Sequence, residues 1–243
     1  MTKNTILCLH GAFLGGYLFD PLREALELQI DANIKLYSPT LLGHGNDHTK
    51  ELTYVKQAAW LEKKYGHTKP ILLGHSMGAG IALQCALQWR SPPEALFLCG
   101  AGIGRPMGPN TTQGFLARGI KPSLTNDFIR QMSEGWFYAT TQELIDGFRR
   151  QILNLSKDQF EEIQASLSRG IDQMGRSLED LQIKTIILHG KEDQNRSLKE
   201  AQELSTYLNG ELVILEECGH MVPVERVEVL AQKIAFEMRW RLQ

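Results

Sequence analysis

At 243 residues, with 26 Lys and Arg against 28 Asp and Glu and a formal net charge of −2, the chain is long enough for one sizeable core and carries no basic footprint. Nucleic acid and membrane surfaces are therefore not expected partners, no disulfide or metal is required to hold a core of this size, and no apolar run approaches the roughly 20 residues that span a bilayer. The N-terminus, MTKNTILCLHG, lacks a secretory-signal pattern, and Cys8, Cys85, Cys99 and Cys218 show no Cys-x-x-Cys spacing, so they read as reduced thiols of a cytoplasmic protein.

In chain order, six short apolar runs read as strands: TILCLH (5–10), IKLYSP (34–39), PILLG (70–74), ALFLCG (95–100), KTIILHG (184–190) and ELVILEE (211–217). Helical spacing is predicted over 19–28, 51–65, 78–90, 196–208 and 223–241, the last opening on Pro223, where a missing N–H does no harm. Short apolar strands alternating with helices predict an α/β fold, a mostly parallel, doubly wound sheet covered on both faces. The alternation breaks between 104 and 178, where no strand pattern occurs. That stretch reads as three or four helices, with capping boxes at Thr140/Glu143 and Ser156/Gln159. A single domain is expected, its core formed by 1–103 and 179–243 and its helical insertion by 104–178.

Gly74-His75-Ser76-Met77-Gly78 fits Gly-x-Ser-x-Gly between an apolar strand and a helix. A strand that turns at once into a helix strains the serine backbone and crowds the positions two residues either side, which accounts for both glycines. A serine hydroxyl is too weakly acidic to attack unaided, so it needs a base and the base an orienting carboxylate. Asp193 follows the fifth strand pattern and His220 follows the sixth. Parallel strands would bring both to the edge that carries Ser76. Glu192, beside Asp193, reads as a solvated charge; His10, His67, His75 and His189 lack the late position that His220 holds.

The segments LCLHGAFLGG, PTLLGHGND, LLGHSMGAG, ILHGKEDQ and CGHMVPVE together resemble the α/β-hydrolase family along the whole chain. The resemblance implies catalysis by Ser76, Asp193 and His220, a helical cap over the cleft, and an oxyanion hole of backbone N–H groups. One donor would be Met77, after the nucleophile; the other is expected from Ala12, with Phe13 second. Thr40 stands where related sequences often carry Asp, and Asn46-Asp47 follow Gly43-His44-Gly45, which alters a turn and not the triad.

Other signals are weaker. His44, Asp47 and His48 could be read as metal ligands, but two glycines make the segment a loop. Gly100-Ala101-Gly102-Ile103-Gly104 has Arg105 where a dinucleotide turn needs its third glycine, and reads as a tight strand exit. The insertion holds Met107, Phe115, Phe128, Met132, Trp136, Phe137, Tyr138, Phe148, Phe160 and Met174, most expected in its own core and some facing a moderately apolar pocket. Arg149-Arg150 is its only basic pair, where a carrier protein could dock. The expectation is a serine hydrolase, monomeric or dimeric and without cofactor or metal, acting on a small ester or thioester. A carbon–carbon bond hydrolase with the same triad and a non-enzymatic small-molecule receptor are the alternatives.

Overall fold

The computed structural model describes residues 5–29, 34–102, 108–109, 111–172, 178 and 180–242. Each apolar run becomes a strand: β1 (Thr5–Leu9), β2 (Lys35–Tyr37), β3 (Ile71–His75), β4 (Ala95–Cys99), β5 (Thr185–Gly190) and β6 (Glu211–Leu215). They form one sheet in the order β2-β1-β3-β4-β5-β6, with every adjacent pair parallel. The inner strands β1, β3, β4 and β5 are buried along their whole length, which is why they read as unbroken apolar runs, whereas the edge strands β2 and β6 are partly exposed. Leu9 pairs with Gly74, His75 with Cys99 and Gly190 with Leu215, so the strands end level and their following loops gather at one edge.

The helices are α1 (Asp20–Glu27), α2 (Tyr54–Tyr65), α3 (Met77–Gln88), α4 (Thr112–Ala117), α5 (Asn126–Glu134), α6 (Gln142–Leu153), α7 (Lys157–Asp172), α8 (Leu198–Tyr207), α9 (Val222–Glu225) and α10 (Val227–Leu242). Alternate strand side chains feed two cores. Ile6, Cys8, Leu73, Phe97 and Leu188 pack with Leu22 of α1 and Leu230 and Ile234 of α10. Leu7, Leu9, Leu72, Leu98 and Ile187 pack with Leu61 of α2, Ala82 of α3 and Leu204 of α8. All four cysteines are free and buried. No helix among the described residues is long and apolar enough to cross a membrane.

Two helix expectations need correction. The run 223–241 is not one helix: it breaks at Arg226 (φ −137°, ψ 42°) between α9 and α10. There the Arg226 guanidinium reaches back to the Glu216 and Glu217 carbonyls, a tie outside the helix that periodicity cannot register. At the start of α6 the capping side chain is Thr141, which accepts from Leu144 N–H, and not its neighbour Thr140. The Ser156/Gln159 box is reciprocal, at 3.0 and 3.2 Å. A further box at Ser197/Glu200 opens α8.

Among the described residues, four α-helices, α4 to α7, occupy the stretch between β4 and β5. Phe115, Phe128, Phe137, Phe148 and Phe160 are buried among them, while Tyr138 is exposed. Ile103, Gly104, Arg105, Met107 and Met174 lie outside the described residues. The Gln159 amide donates to the Gly45 and Asp47 carbonyls at 2.8 and 2.9 Å, and Glu162 accepts from Leu52 N–H at 2.8 Å. These bonds latch α7 to the loop after β2. Arg149 pairs with Asp146 at 2.6 Å, so only Arg150 of the basic pair stands exposed and without a described ion pair.

Candidate active site

Ser76 stands between the last residue of β3 and the first of α3, at φ 53° and ψ −114°. This is a left-handed conformation that costs a non-glycine residue free energy, on the order of 1–3 kcal/mol. Neighbours impose it. A Cβ at Gly74 would lie 2.4 Å from the Gly78 carbonyl oxygen, and one at Gly78 would lie 2.0 Å from that of Leu9, so the chain can pass only with glycine at both places. Ser76 N–H donates to the Cys99 carbonyl at 2.9 Å, which pins the bend to β4.

Asp193 and His220 meet at this edge of the sheet. His220 Nδ1 lies 2.8 Å from Asp193 Oδ2, and both side chains are almost wholly buried. The other carboxylate oxygen accepts from the Asn195 and Arg196 N–H groups at 2.7 and 3.0 Å. Burial alone would raise the Asp193 pKa, but His220, and after it His189 and the Arg196 amide, outweigh burial and hold the carboxyl below its usual range. The neighbouring Glu192 is not a solvated charge: its carboxylate accepts from Cys218 N–H at 2.9 Å. The His220 backbone is held from two sides. Its N–H donates to the Trp136 carbonyl at 2.8 Å, and its carbonyl accepts from His75 Nε2 at 3.0 Å. Burial lowers the His75 pKa to about 3, so His75 is a neutral donor here and not a second base.

The loop after β1 presents Ala12 and Phe13. Phe13 has φ 66°, and its N–H is engaged, donating to His44 Nε2 at 3.2 Å. The Ala12 N–H has no acceptor among the described residues. The Met77 N–H, first of α3, is one of the amides that an α-helix leaves without an internal partner. His44 donates from Nδ1 to the Leu42 carbonyl at 3.1 Å, so both its ring nitrogens are occupied and neither is left for a metal. His10 makes the reciprocal tie, accepting from Leu41 N–H at 3.0 Å. The two imidazoles meet edge to face, 4.8 Å between centroids.

One cavity is lined by Ala12, Phe13, Ser76, Met77 and His220 together with Met132 of α5 and Trp136 of the α5–α6 connection. Its volume of about 90 Å³ is several times the roughly 10–15 Å³ that one water needs, so it admits a small organic group. Asp193 sits behind His220, outside the lining. Pattern reading missed Tyr54, Leu83, Gln164, Leu167, Asn195 and Arg196, which also line it. Only Asn195 and Arg196 had a signal, lying two and three residues past Asp193.

Comparison with known proteins agrees with this architecture. The family model described as "Alpha/beta hydrolase family" matches residues 6–233. A 2-hydroxy-6-oxononadienedioate/2-hydroxy-6-oxononatrienedioate hydrolase of Pseudomonas putida is 23% identical over 96% of this chain and 87% of its own. Among solved structures, an esterase from Exiguobacterium antarcticum superimposes with TM-score 0.77 at 19% identity, covering 98% of this chain and 92% of that one. A meta-cleavage product hydrolase from Pseudomonas fluorescens IP01 gives TM-score 0.79 at 19% identity, covering 99% and 92%.

Proposed function

The chain belongs to the alpha/beta hydrolase family, and on that premise we propose that it is a serine hydrolase cleaving a small, moderately apolar carboxylic ester or thioester. The observation that carries this reading is the 2.8 Å contact between Asp193 and His220, whose imidazole lines the same cavity as the strained Ser76. Asp193 accepts from His220 Nδ1–H, which leaves Nε2 as the free base. His220 Nε2 takes the Ser76 hydroxyl proton as Oγ bonds to the substrate carbonyl carbon. Negative charge then builds on the carbonyl oxygen and is received by the Met77 and Ala12 amides. As the tetrahedral species collapses, His220 returns the proton to the departing alcohol or thiol. Water, deprotonated by His220, then attacks the acyl-enzyme; collapse expels Ser76 Oγ, which takes back the proton, and frees the acid. The inserted helices act as a cap, with Met132 and Trp136 as the apolar part of the substrate wall.

The test is Ser76→Ala. Hydrolysis of p-nitrophenyl esters is expected to fall about a million-fold in turnover, as loss of a triad nucleophile does. Covalent labelling by a fluorophosphonate should vanish with it. A folded variant that keeps its ester hydrolysis would refute the assignment.

A second reading, carbon–carbon bond hydrolysis by the same residues, is favoured by the polar side of the cavity, where Thr111, Gln113, Gln164 and Arg196 could hold a dienol or keto acid. The Pseudomonas putida relative, named as a hydrolase of 2-hydroxy-6-oxo dienedioates and trienedioates, supports it. Turnover of vinylogous diketones without turnover of p-nitrophenyl esters would select it.

A further inference from the structure

The loop that carries His220 and the inserted helices meet at one carboxylate. Glu225, the last residue of α9, accepts from Gly219 N–H at 2.9 Å through one oxygen. Through the other it accepts from the Tyr138 and Ala139 N–H groups at 2.7 and 3.3 Å. Gly219 immediately precedes His220. Tyr138 and Ala139 lie in the connection between α5 and α6, as does Trp136, which lines the cavity and whose carbonyl accepts from His220 N–H at 2.8 Å. The two backbones are appressed: a Cβ at Gly219 would stand 2.7 Å from Tyr138 N and 2.8 Å from the Trp136 carbonyl oxygen. A two-sided tie thus surrounds a residue whose placement decides proton transfer.

We propose that Glu225 is a positioning residue for His220: its carboxylate fastens the loop bearing the imidazole to the segment that walls the cavity, so that base and substrate wall are held as one body. The inference rests on the serine-hydrolase reading, since His220 must be the base for its placement to matter. The chemistry asks for a carboxylate in particular. N–H donors face both oxygens, so both must accept. Glutamine keeps one acceptor and sets an NH₂ against an N–H. Aspartate keeps both acceptors on a stem one methylene shorter. Charge-assisted bonds to backbone N–H groups are also stronger than neutral ones, which suits a tie that must not slip.

The test compares wild type, Glu225→Gln and Glu225→Asp in p-nitrophenyl ester hydrolysis and in the rate of fluorophosphonate labelling, each at a temperature where circular dichroism shows the variant folded. A displacement of about 1 Å at the base costs up to roughly a hundredfold. Glu225→Gln should therefore lose about ten- to a hundredfold in kcat, with KM within threefold and labelling slowed by the same factor as kcat. Glu225→Asp should lose less. A role confined to stability would lower the melting temperature and leave kcat per folded molecule unchanged. A folded Glu225→Gln with kcat and labelling within twofold of wild type overturns the proposal. Should Glu225→Gln not fold, Glu225→Asp decides: a kcat at least threefold down supports the tie, and a wild-type kcat overturns it. The serine reading is judged separately, on proteins with Glu225 intact: absent wild-type labelling, or labelling that survives Ser76→Ala, sinks that reading itself.

Discussion

Asp193 holds a buried charge that three groups keep in place. Its side chain has no exposed surface, yet its pKa stays low because an imidazole and two backbone amides face its oxygens. A carboxyl whose folded pKa lies below its unfolded value stabilises the fold above the usual carboxylate range, and that contribution is lost as pH falls through the folded value. In the proposed mechanism its task is to fix the His220 tautomer. Asp193→Asn keeps the shape and spoils the tautomer, so kcat should fall by about 10⁴, with near-ultraviolet circular dichroism unchanged. Wild-type ester turnover in that variant would remove the pair from the mechanism. Chain order singles out the 192–193 pair, since both carboxylates follow β5 directly. The sequence reading takes Asp193 and leaves Glu192 to solvent; the loop geometry gives Asp193 to the imidazole and Glu192 to Cys218 N–H.

The neighbouring loops after β1 and β2 are locked together by a pair of histidines. His10, after β1, accepts from Leu41, and His44, after β2, accepts from Phe13, so each loop holds the other's backbone. The left-handed turn at Phe13 follows Ala12 directly, and this lock governs where the Ala12 amide points. His44→Phe keeps an aromatic ring and removes both of its hydrogen bonds. In the proposed mechanism the Ala12 amide is an oxyanion donor; losing such a donor outright costs about 10²–10³ in kcat, and misaiming it should cost less, about ten- to a hundredfold, with a smaller change in KM. Steady-state kinetics on a p-nitrophenyl ester checks this, and an unchanged kcat would show that the turn holds itself. The elements that flank such loops were legible because apolar periodicity is local. The break between α9 and α10 and the choice of Thr141 over Thr140 were not, because a carbonyl outside the helix or a neighbouring threonine settled each.

His10, His44 and His75 are fully or almost fully buried, and burial lowers all three pKa values, His44 to about 4 and His75 to about 3. The unfolded chain binds protons at these sites near pH 6.5 while the folded one does not. Stability is therefore greatest above about pH 6.5 and falls as pH drops towards 4, with up to about 1.4 kcal/mol per pH unit from each histidine inside that window. Urea midpoints at pH 7.5, 6.5 and 5.5 should decline in that order, and His44→Phe should flatten the slope. A midpoint that does not move between pH 7 and 5 would contradict the burial of three neutral imidazoles. Of the three, His75 lines the cavity, while His10 and His44 lie in the loops that follow β1 and β2.

The sequence by itself determined the parallel sheet, the strained bend at Ser76 and the order in which Ser76, Asp193 and His220 leave its strands. Those follow from local features: apolar runs short enough to be strands, and glycines spaced to let a strand meet a helix. Only the tertiary structure decided that the Phe13 amide is engaged while the Ala12 amide has no acceptor among the described residues, that Glu192 serves the backbone, and that Met132, Trp136 and Gln164 line the cavity. The engaged amides depend on partners far along the chain, 31 residues for Phe13 and His44 and 26 for Glu192 and Cys218. A hydrogen bond of that span has no signature in the spacing of either partner, and it exists only once the sheet has brought the loops to one edge.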